Sequence, residues 1–273
     1  MPELPEVEVT RLGVDPHIAG QQLRELIFRR EGLRWPFPHE LAEKLRGRIV
    51  LKTGRRGKYL LIYFDIGVIL IHLGMSGHLK IVPINTPAQK HDHVDMQFQH
   101  AQLRMHDPRR FGALLWHDFA NGPVEEHPML ARLGIEPLEG GLTGRLLYEQ
   151  TRGRSAPIKQ ILLAGEIVVG VGNIYASESL FHAKINPKIA AGRISEKRYE
   201  LLAQAICKVL AQAIQQGGST LKDFVGVNGQ SGYFQQSYFV YDRAGQACRV
   251  CNETIIQIKQ GQRSSFYCAK CQK

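Results

Sequence analysis

DFANGPVEEHPMLARLGIEPLEGGLTGRLLYE, residues 118–149, is where the character of the chain changes. Its six acids (Asp118, Glu125, Glu126, Glu136, Glu139, Glu149) outnumber its two bases (Arg132, Arg145), and Gly and Pro interrupt it throughout. That composition marks a boundary between domains, and a surface turned away from any polyanion. On its N-terminal side, from Arg24 to His117, short apolar runs recur: Leu26-Ile27-Phe28, Ile49-Val50-Leu51, Tyr59 to Phe64 and Val68 to Leu73. Leu103-Arg104-Met105 and Ala113 to Trp116 continue the series, and a short helix is expected from His39 to Leu45. Val94, Met96 and Phe98 alternate with Asp95, Gln97 and Gln99, the period of a half-buried strand. Beyond the boundary the period is helical, over Leu142–Arg152, Pro157–Leu163, Tyr175–Ala183 and Glu196–Gln216. Strands followed by helices give an α+β chain, whose first half reads as a sandwich or barrel.

The 273 residues suffice for two domains, each with its own core. Lys and Arg total 35 against 25 Asp and Glu, a formal charge of +10, which favours a polyanionic partner such as nucleic acid. Apolar runs are strand-sized, well short of the ~18 residues of a membrane span. Met1 to Arg11 carries three glutamates and two prolines, so no signal peptide is expected. Of five cysteines, four cluster at the end, pointing to metal ligation in a reducing compartment.

Met1-Pro2-Glu3-Leu4-Pro5-Glu6 admits two readings. One is an ordinary capped helix with Pro5 at its first position and acids in its first turn. The other is chemical. Removal of Met1 bares the secondary amine of Pro2, which titrates near ~8 rather than the ~10.4 of lysine and is a nucleophile at neutral pH. Glu3 and Glu6 would then supply carboxylates at the same helix start. Val7, Val14 and Ile18 share a face of that helix, with Gly13 and Pro16 expected to bend or shorten it.

Cys248-x2-Cys251 and Cys268-x2-Cys271, sixteen residues apart, have the spacing of a closed four-thiolate Zn²⁺ site on a folded-back hairpin. The segment from Cys248 to Lys273 has five bases and one acid, and its turn Gln260-Gly261-Gln262-Arg263 presents an arginine to a phosphate. Gly170-Val171-Gly172-Asn173 precedes a helix, where backbone amides can hold a phosphate, but taken by itself a tight helix-to-helix turn explains it better. Lys52 to Lys58 concentrates four bases in an expected hairpin turn, with Lys58 opening a strand. Asp107-Pro108-Arg109-Arg110-Phe111-Gly112 and Gly74-Met75-Ser76-Gly77 place apolar residues at loop tips, as wedges in a duplex or as strand anchors. His91-Asp92-His93 lacks a third metal ligand at suitable spacing and is assigned to turn and strand. Cys207, among apolar neighbours, reads as a core residue. Gly217-Gly218 ends the last helix, and Ser219 to Ser231 is long enough for a mobile flap.

Together these pieces resemble the formamidopyrimidine-DNA glycosylase family: PELPEVE at the start, RRGKYL at 55–60, HLGMSG at 72–77, DPRRFG at 107–112, GVGNIYASE at 170–178 and the four-cysteine finger. The resemblance runs nearly end to end. It implies an N-terminal β-sandwich domain (1–131), a helical helix–two-turn–helix domain (132–240) and a C-terminal zinc finger (241–273), with DNA in the cleft between them. It implies a bifunctional DNA glycosylase/AP lyase of base excision repair that removes oxidised purines. Pro2 is expected as the nucleophile, Glu3 as acid/base, and Glu6 as the residue orienting the site. Lys58, Asn173 and Arg263 are expected on phosphates flanking the flipped nucleotide, with Lys58 and Arg263 also counted in the catalytic set. Met75, Arg109 and Phe111 are expected to fill the vacated stack, Arg109 facing the orphaned cytosine. Lys159 is expected near the lesion, further DNA contacts at His91, Arg110 and Arg154, and 219–233 as the loop closing over the base. One structural Zn²⁺, a monomeric state, no membrane contact and a bacterial cytoplasmic, nucleoid-associated location complete the expectations. Ala164-Gly165 departs from the family pattern of an acid and an amide, and Ser76 and His78 lie in a variable lesion-side segment.

Two other readings make different predictions. A non-enzymatic DNA-binding protein would bind in a salt-dependent way without cutting. The sister glycosylase for oxidised pyrimidines would prefer dihydrouracil, but its start and wedge differ from those found here.

Overall fold

A proline in the first turn and an acid at each end of a reciprocal cap start the first helix, α1 (Leu4–Ile18). Glu3, in extended conformation, is its N-cap, and the Glu3 and Glu6 carboxylates each take the other's backbone N–H. The helix is not shortened at Gly13 or Pro16 but runs 15 residues. Pro16 lies in the last turn, where its missing N–H forfeits a single hydrogen bond. This computed structural model describes residues 1–219 and 233–273. It comprises two units, Met1–Ala131 with Gln216–Tyr233, and Arg132–Gln215 with Phe234–Lys273. Apart from its ends, the expected lesion-closing loop lies outside the described residues.

In the first unit, β1 (Glu25–Phe28), β5 (His78–Val82), β6 (Asp92–Gln97) and β7 (Gln102–His106) form an antiparallel sheet in the order β1-β6-β7-β5. A second sheet has the order β2-β3-β4-β8, from β2 (Lys52–Arg56), β3 (Tyr59–Phe64), β4 (Gly67–His72) and β8 (Ala113–Asp118). Leu26, Met96, Leu103 and Met105 of the first sheet share a core with Leu60, Ile62, Ile71 and Leu114 of the second, which makes a sandwich. Val7, Val14 and Ile18 of α1 join the same core. The helix expected over His39–Leu45 contracts to α2 (Leu41–Lys44).

Three strand expectations need correction. Ile49-Val50-Leu51 is not a named strand: among the described residues it makes one bridge, Gln22 to Ile49, with Ile49 and Leu51 half exposed and Val50 alone fully buried. The basic run after it is a strand, not a turn: β2 covers Lys52–Arg56, and only Gly57-Lys58 turn the chain into β3. Strand β6 is buried on both faces, not one. Asp95 lies fully buried because Arg104 (2.8 Å) and Arg29 neutralise it, and Gln102 donates to it at 2.9 Å.

The second unit packs α3 (Gly144–Thr151), α4 (Ile158–Ala164), α5 (Asn173–His182) and α6 (Glu196–Gln215) with the hairpin β9 (Ile255–Gln260)–β10 (Arg263–Cys268). Helix α3 begins two residues later than its apolar period suggests, because the Thr143 hydroxyl caps Leu146 N–H. At the departure Ala164-Gly165, Gly165 adopts the left-handed conformation (φ 74°) and ends α4. Cys207 is half-buried, its thiol donates to the Pro137 carbonyl at 3.0 Å, and burial raises its pKa, as suits packing rather than reactivity. Among the described residues no helix is long and apolar enough to cross a membrane.

Candidate functional site

Pro2 is buried at the foot of α1. Beside it Glu3 is 2% exposed and Glu6 is fully buried. One Glu6 oxygen takes the Glu3 N–H at 2.9 Å, and the other takes the Ser219 N–H at 2.9 Å. Glu6 thus ties the helix start to the near end of the loop expected over the lesion. Farther along α1, Glu8 bridges Arg11 (2.6 Å) and Arg55 of β2 (3.0 Å). Burial works to raise the Glu8 pKa, but the two guanidiniums outweigh it and hold the carboxyl below its ordinary value. The helix carrying Pro2 is therefore fastened to the sheet by charge as well as by core packing.

Lys58 sits half-buried in the β2–β3 turn. His72 faces Tyr59 across the β3–β4 ladder, with ring centroids 5.0 Å apart. Burial first, then the positive charges of Lys58 and Arg34, lower the His72 pKa to about 4, so its ring is neutral at pH 7. Gly74 N–H donates to Nδ1 at 3.1 Å, which places the remaining proton on Nε2. Arg34 and His72 were not singled out from sequence. Their signal was present in HLGMSG for His72, but nothing in the pattern of residues 29–37 announced Arg34.

Two loop tips stand out from the same sandwich. Met75 is 39% and Phe111 45% exposed, while Arg109 and Arg110 are exposed and the Arg109 guanidinium lies over the Phe111 ring at 5.2 Å. His91, half-buried, precedes β6 within a group of rings that includes His93 (6.4 Å) and His106 (5.8 Å). His106 in turn contacts Asp92 at 2.7 Å. This is the turn-and-strand arrangement expected for His91-Asp92-His93.

In the second unit Asn173 opens α5 next to Gly172, and its side-chain oxygen is buried without a partner among the described residues. Arg154 pairs loosely with the exposed Glu166 at 3.7 Å. Arg263, exposed, begins β10 immediately after the hairpin turn. Lys159 is 1% exposed, and its ammonium donates to the Ser264 carbonyl and the Ser265 hydroxyl, both at 2.9 Å. It therefore fastens α4 to the strand that carries Arg263. Glu178, also buried, accepts the N–H groups of Phe239 (2.9 Å), Val240 (3.0 Å) and Tyr241 (2.8 Å). Sequence reading quoted this glutamate within a motif but assigned it nothing.

The four thiols Cys248, Cys251, Cys268 and Cys271 converge with all sulfurs within 4.8 Å of one another. Separations of 3.9 Å (Cys248–Cys271), 3.5 Å (Cys251–Cys268) and 3.4 Å (Cys251–Cys271) are far too long for disulfides. They lie near the ~3.8 Å edge of a tetrahedron with ~2.3 Å metal–sulfur bonds. The donor set fits one Zn²⁺ and, with all four positions taken by thiolates, leaves none for water or substrate. Bound there, the ion holds β9–β10 as a finger.

The family model described as the formamidopyrimidine-DNA glycosylase N-terminal domain matches residues 1–114. That of the formamidopyrimidine-DNA glycosylase H2TH domain matches 133–225, and the zinc finger found in FPG and IleRS matches 245–273. The formamidopyrimidine-DNA glycosylase of Herminiimonas arsenicoxydans is 63% identical over 273 residues, covering all of both chains. That of Paraburkholderia phytofirmans is 58% identical over 276 residues, again covering both fully. Among solved structures, Lactococcus lactis Fpg in complex with abasic-site DNA aligns over 99% of each chain at 31% identity with a TM-score of 0.91. The Lactococcus lactis complex with DNA containing FAPY-dG gives 32% identity and 0.90 over 99% of this chain and 100% of that one. On matches that span its whole length, this chain belongs to the formamidopyrimidine-DNA glycosylase family.

Proposed function

We infer that this DNA glycosylase of base excision repair, an AP lyase as well, works through the nitrogen of Pro2 on oxidised purines in duplex DNA. The observation that carries the reading is the buried box at the start of α1, where Glu3 and Glu6 hold each other's backbone beside Pro2. With Met1 attached, the Pro2 nitrogen is an amide and has no lone pair to give. Once Met1 is removed, the amine attacks C1′ of the damaged nucleotide and the base leaves with a proton. Opening of the sugar C1′–O4′ bond, assisted by Glu3, yields a cationic iminium directly, since a secondary amine has no second proton to shed. The iminium draws electrons from C2′, whose proton is then removed. Elimination breaks the 3′ and afterwards the 5′ phosphate ester, cutting the strand on both sides.

Each unit contributes its own hold on DNA in this proposal. In the first, Lys58 and His91 contact phosphates, while Met75, Arg109, Arg110 and Phe111 enter the duplex where the nucleotide has left. In the second, Asn173, Arg154 and Arg263 contact the backbone, and Lys159 acts by fixing the strand of Arg263. Extruding a nucleotide costs a few kcal/mol, which these contacts offset and a damaged base lowers. Division into catalytic sandwich (1–131), helical domain (132–240) and zinc finger (241–273), action as a monomer and residence in the bacterial cytoplasm at the nucleoid belong to the same reading. Borohydride trapping on 8-oxoguanine and dihydrouracil duplexes side by side tests it. A covalent adduct favouring 8-oxoguanine supports it; salt-sensitive binding without any adduct, or preference for dihydrouracil, overturns it.

A further inference from the structure

Two connections cross from one sheet of the sandwich to the other side by side. Residues 73–77 lead from β4 to β5, and residues 107–112 lead from β7 to β8. The strands at both ends are paired, His72 with Ala113 and His78 with His106, so the crossings run next to each other. The second crossing begins with Asp107, fully buried and outside the catalytic scheme above. One of its carboxylate oxygens accepts the Ser76 hydroxyl at 2.9 Å, and the other accepts the Gly112 N–H at 2.8 Å. The Ser76 oxygen in turn accepts the Arg109 N–H at 3.3 Å. The backbone of Asp107 is held too: its N–H donates to the His91 carbonyl at 3.0 Å, and its carbonyl accepts from His93 Nε2 at 2.9 Å. Gly74, at φ +64°, approaches so near that a Cβ there would sit 2.4 Å from the Phe111 carbonyl carbon. Buried polar groups satisfied on every side cost free energy to disturb, so this base is rigid. The side chains it carries, Met75, Arg109 and Phe111, are the exposed ones.

We propose that Ser76 and Asp107 are positioning residues that lock Met75, Arg109 and Phe111 into a single preset wedge. The inference rests on the gap-filling roles proposed above. A wedge already ordered before contact enters the stack without the entropic cost of arranging two independent loops. Ser76 is the linking atom set: it donates to one crossing and accepts from the same crossing two residues on, so its loss releases the Met75 turn from the Arg109 turn.

The test compares Ser76→Ala, Ser76→Thr and Phe111→Ala in single turnover on an 8-oxoguanine:cytosine duplex carrying 2-aminopurine beside the lesion. A second arm measures borohydride trapping on a single-stranded abasic oligonucleotide, which has no stack to fill. Ser76→Ala is expected to slow both the fluorescence rise and base removal by about ten- to a hundredfold, the upper figure being that of a 1 Å misplacement. Its single-strand trapping stays at the wild-type level, Ser76→Thr recovers the duplex rate, and Phe111→Ala is slowed on the duplex alone. Equal loss by Ser76→Ala in both arms, or failure of threonine to restore, would show a general structural role and overturn the proposal. So would an unaffected Ser76→Ala beside a slowed Phe111→Ala. An unaffected Phe111→Ala would sink the gap-filling reading itself, and the wedge with it.

Discussion

Glu178→Gln changes one atom of the helical unit and should loosen a defined segment of it. The carboxylate receives three backbone N–H groups, two on Oε1 from Val240 and Tyr241 and one on Oε2 from Phe239. Glutamine keeps one acceptor oxygen, enough for two of them, and sets an NH2 group against the third. Burial raises the Glu178 pKa, while the three N–H groups, which a carboxylate alone can accept together, oppose that rise. A hydrogen bond to a charged acceptor is worth ~1.5–3 kcal/mol. A donor left facing a donor adds to that loss, so we expect about 3 kcal/mol of destabilisation. For a chain of this size that corresponds to a melting midpoint lowered by roughly 6–12 °C. Residues 239–241 lead into the finger, and Phe239 stacks on Phe181 at 5.3 Å, so the damage should stay local. Calorimetry with hydrogen-exchange mass spectrometry reads both quantities. Unchanged midpoint and unchanged protection of 239–241 would mean the three contacts carry no weight, and the reasoning fails.

His72 should make stability pH-dependent in a particular direction. Its folded pKa of about 4 lies below its ordinary 6.5, so the unfolded chain binds the proton more readily. The neutral ring's contribution is complete above pH 6.5 and falls as pH drops toward 4, by about 2 kcal/mol between pH 7 and 5. Melting of wild type and His72→Gln at both pH values should show a smaller acid loss in the variant; parallel losses refute the assignment. Cys271→Ser should reduce zinc below one ion per chain and weaken duplex binding while sparing trapping on single-stranded abasic DNA; full zinc content by metal analysis contradicts this. Lys58→Ala should weaken binding to every duplex and reduce the salt slope by about 0.9, and an effect limited to lesion preference denies the phosphate contact.

How much could be read in advance depended on how local the determinant was. The cysteine pairs declare their site because tetrahedral thiolate geometry constrains spacing within a short hairpin. The strand-to-helix change across 118–149 was legible because hydrophobic period reports burial directly. Lys52–Arg56 was misread as a turn because its charges resemble a solvated loop, whereas in the fold Arg55 meets Glu8 across 47 positions of sequence. Asp95 looked like the exposed face of β6, since nothing local tells that Arg29 and Arg104 cover it. The partners of Glu178 and Asp107 lie some sixty and thirty-one residues away, at Phe239–Tyr241 and Ser76, and emerge only once the chain is folded. Pro2 was conspicuous for its chemistry, but the closure of Glu6 onto Ser219, 213 residues on, was not.

The most direct measurement locates the covalent bond. Protein with Met1 removed is trapped with borohydride on 8-oxoguanine duplex, digested and sequenced by mass spectrometry, beside protein whose N-terminus retains Met1 or is acetylated. The account predicts sugar attached to the Pro2 nitrogen in the first preparation and no adduct or strand cleavage in the others. An adduct on a lysine, or undiminished cutting by the blocked protein, would contradict it.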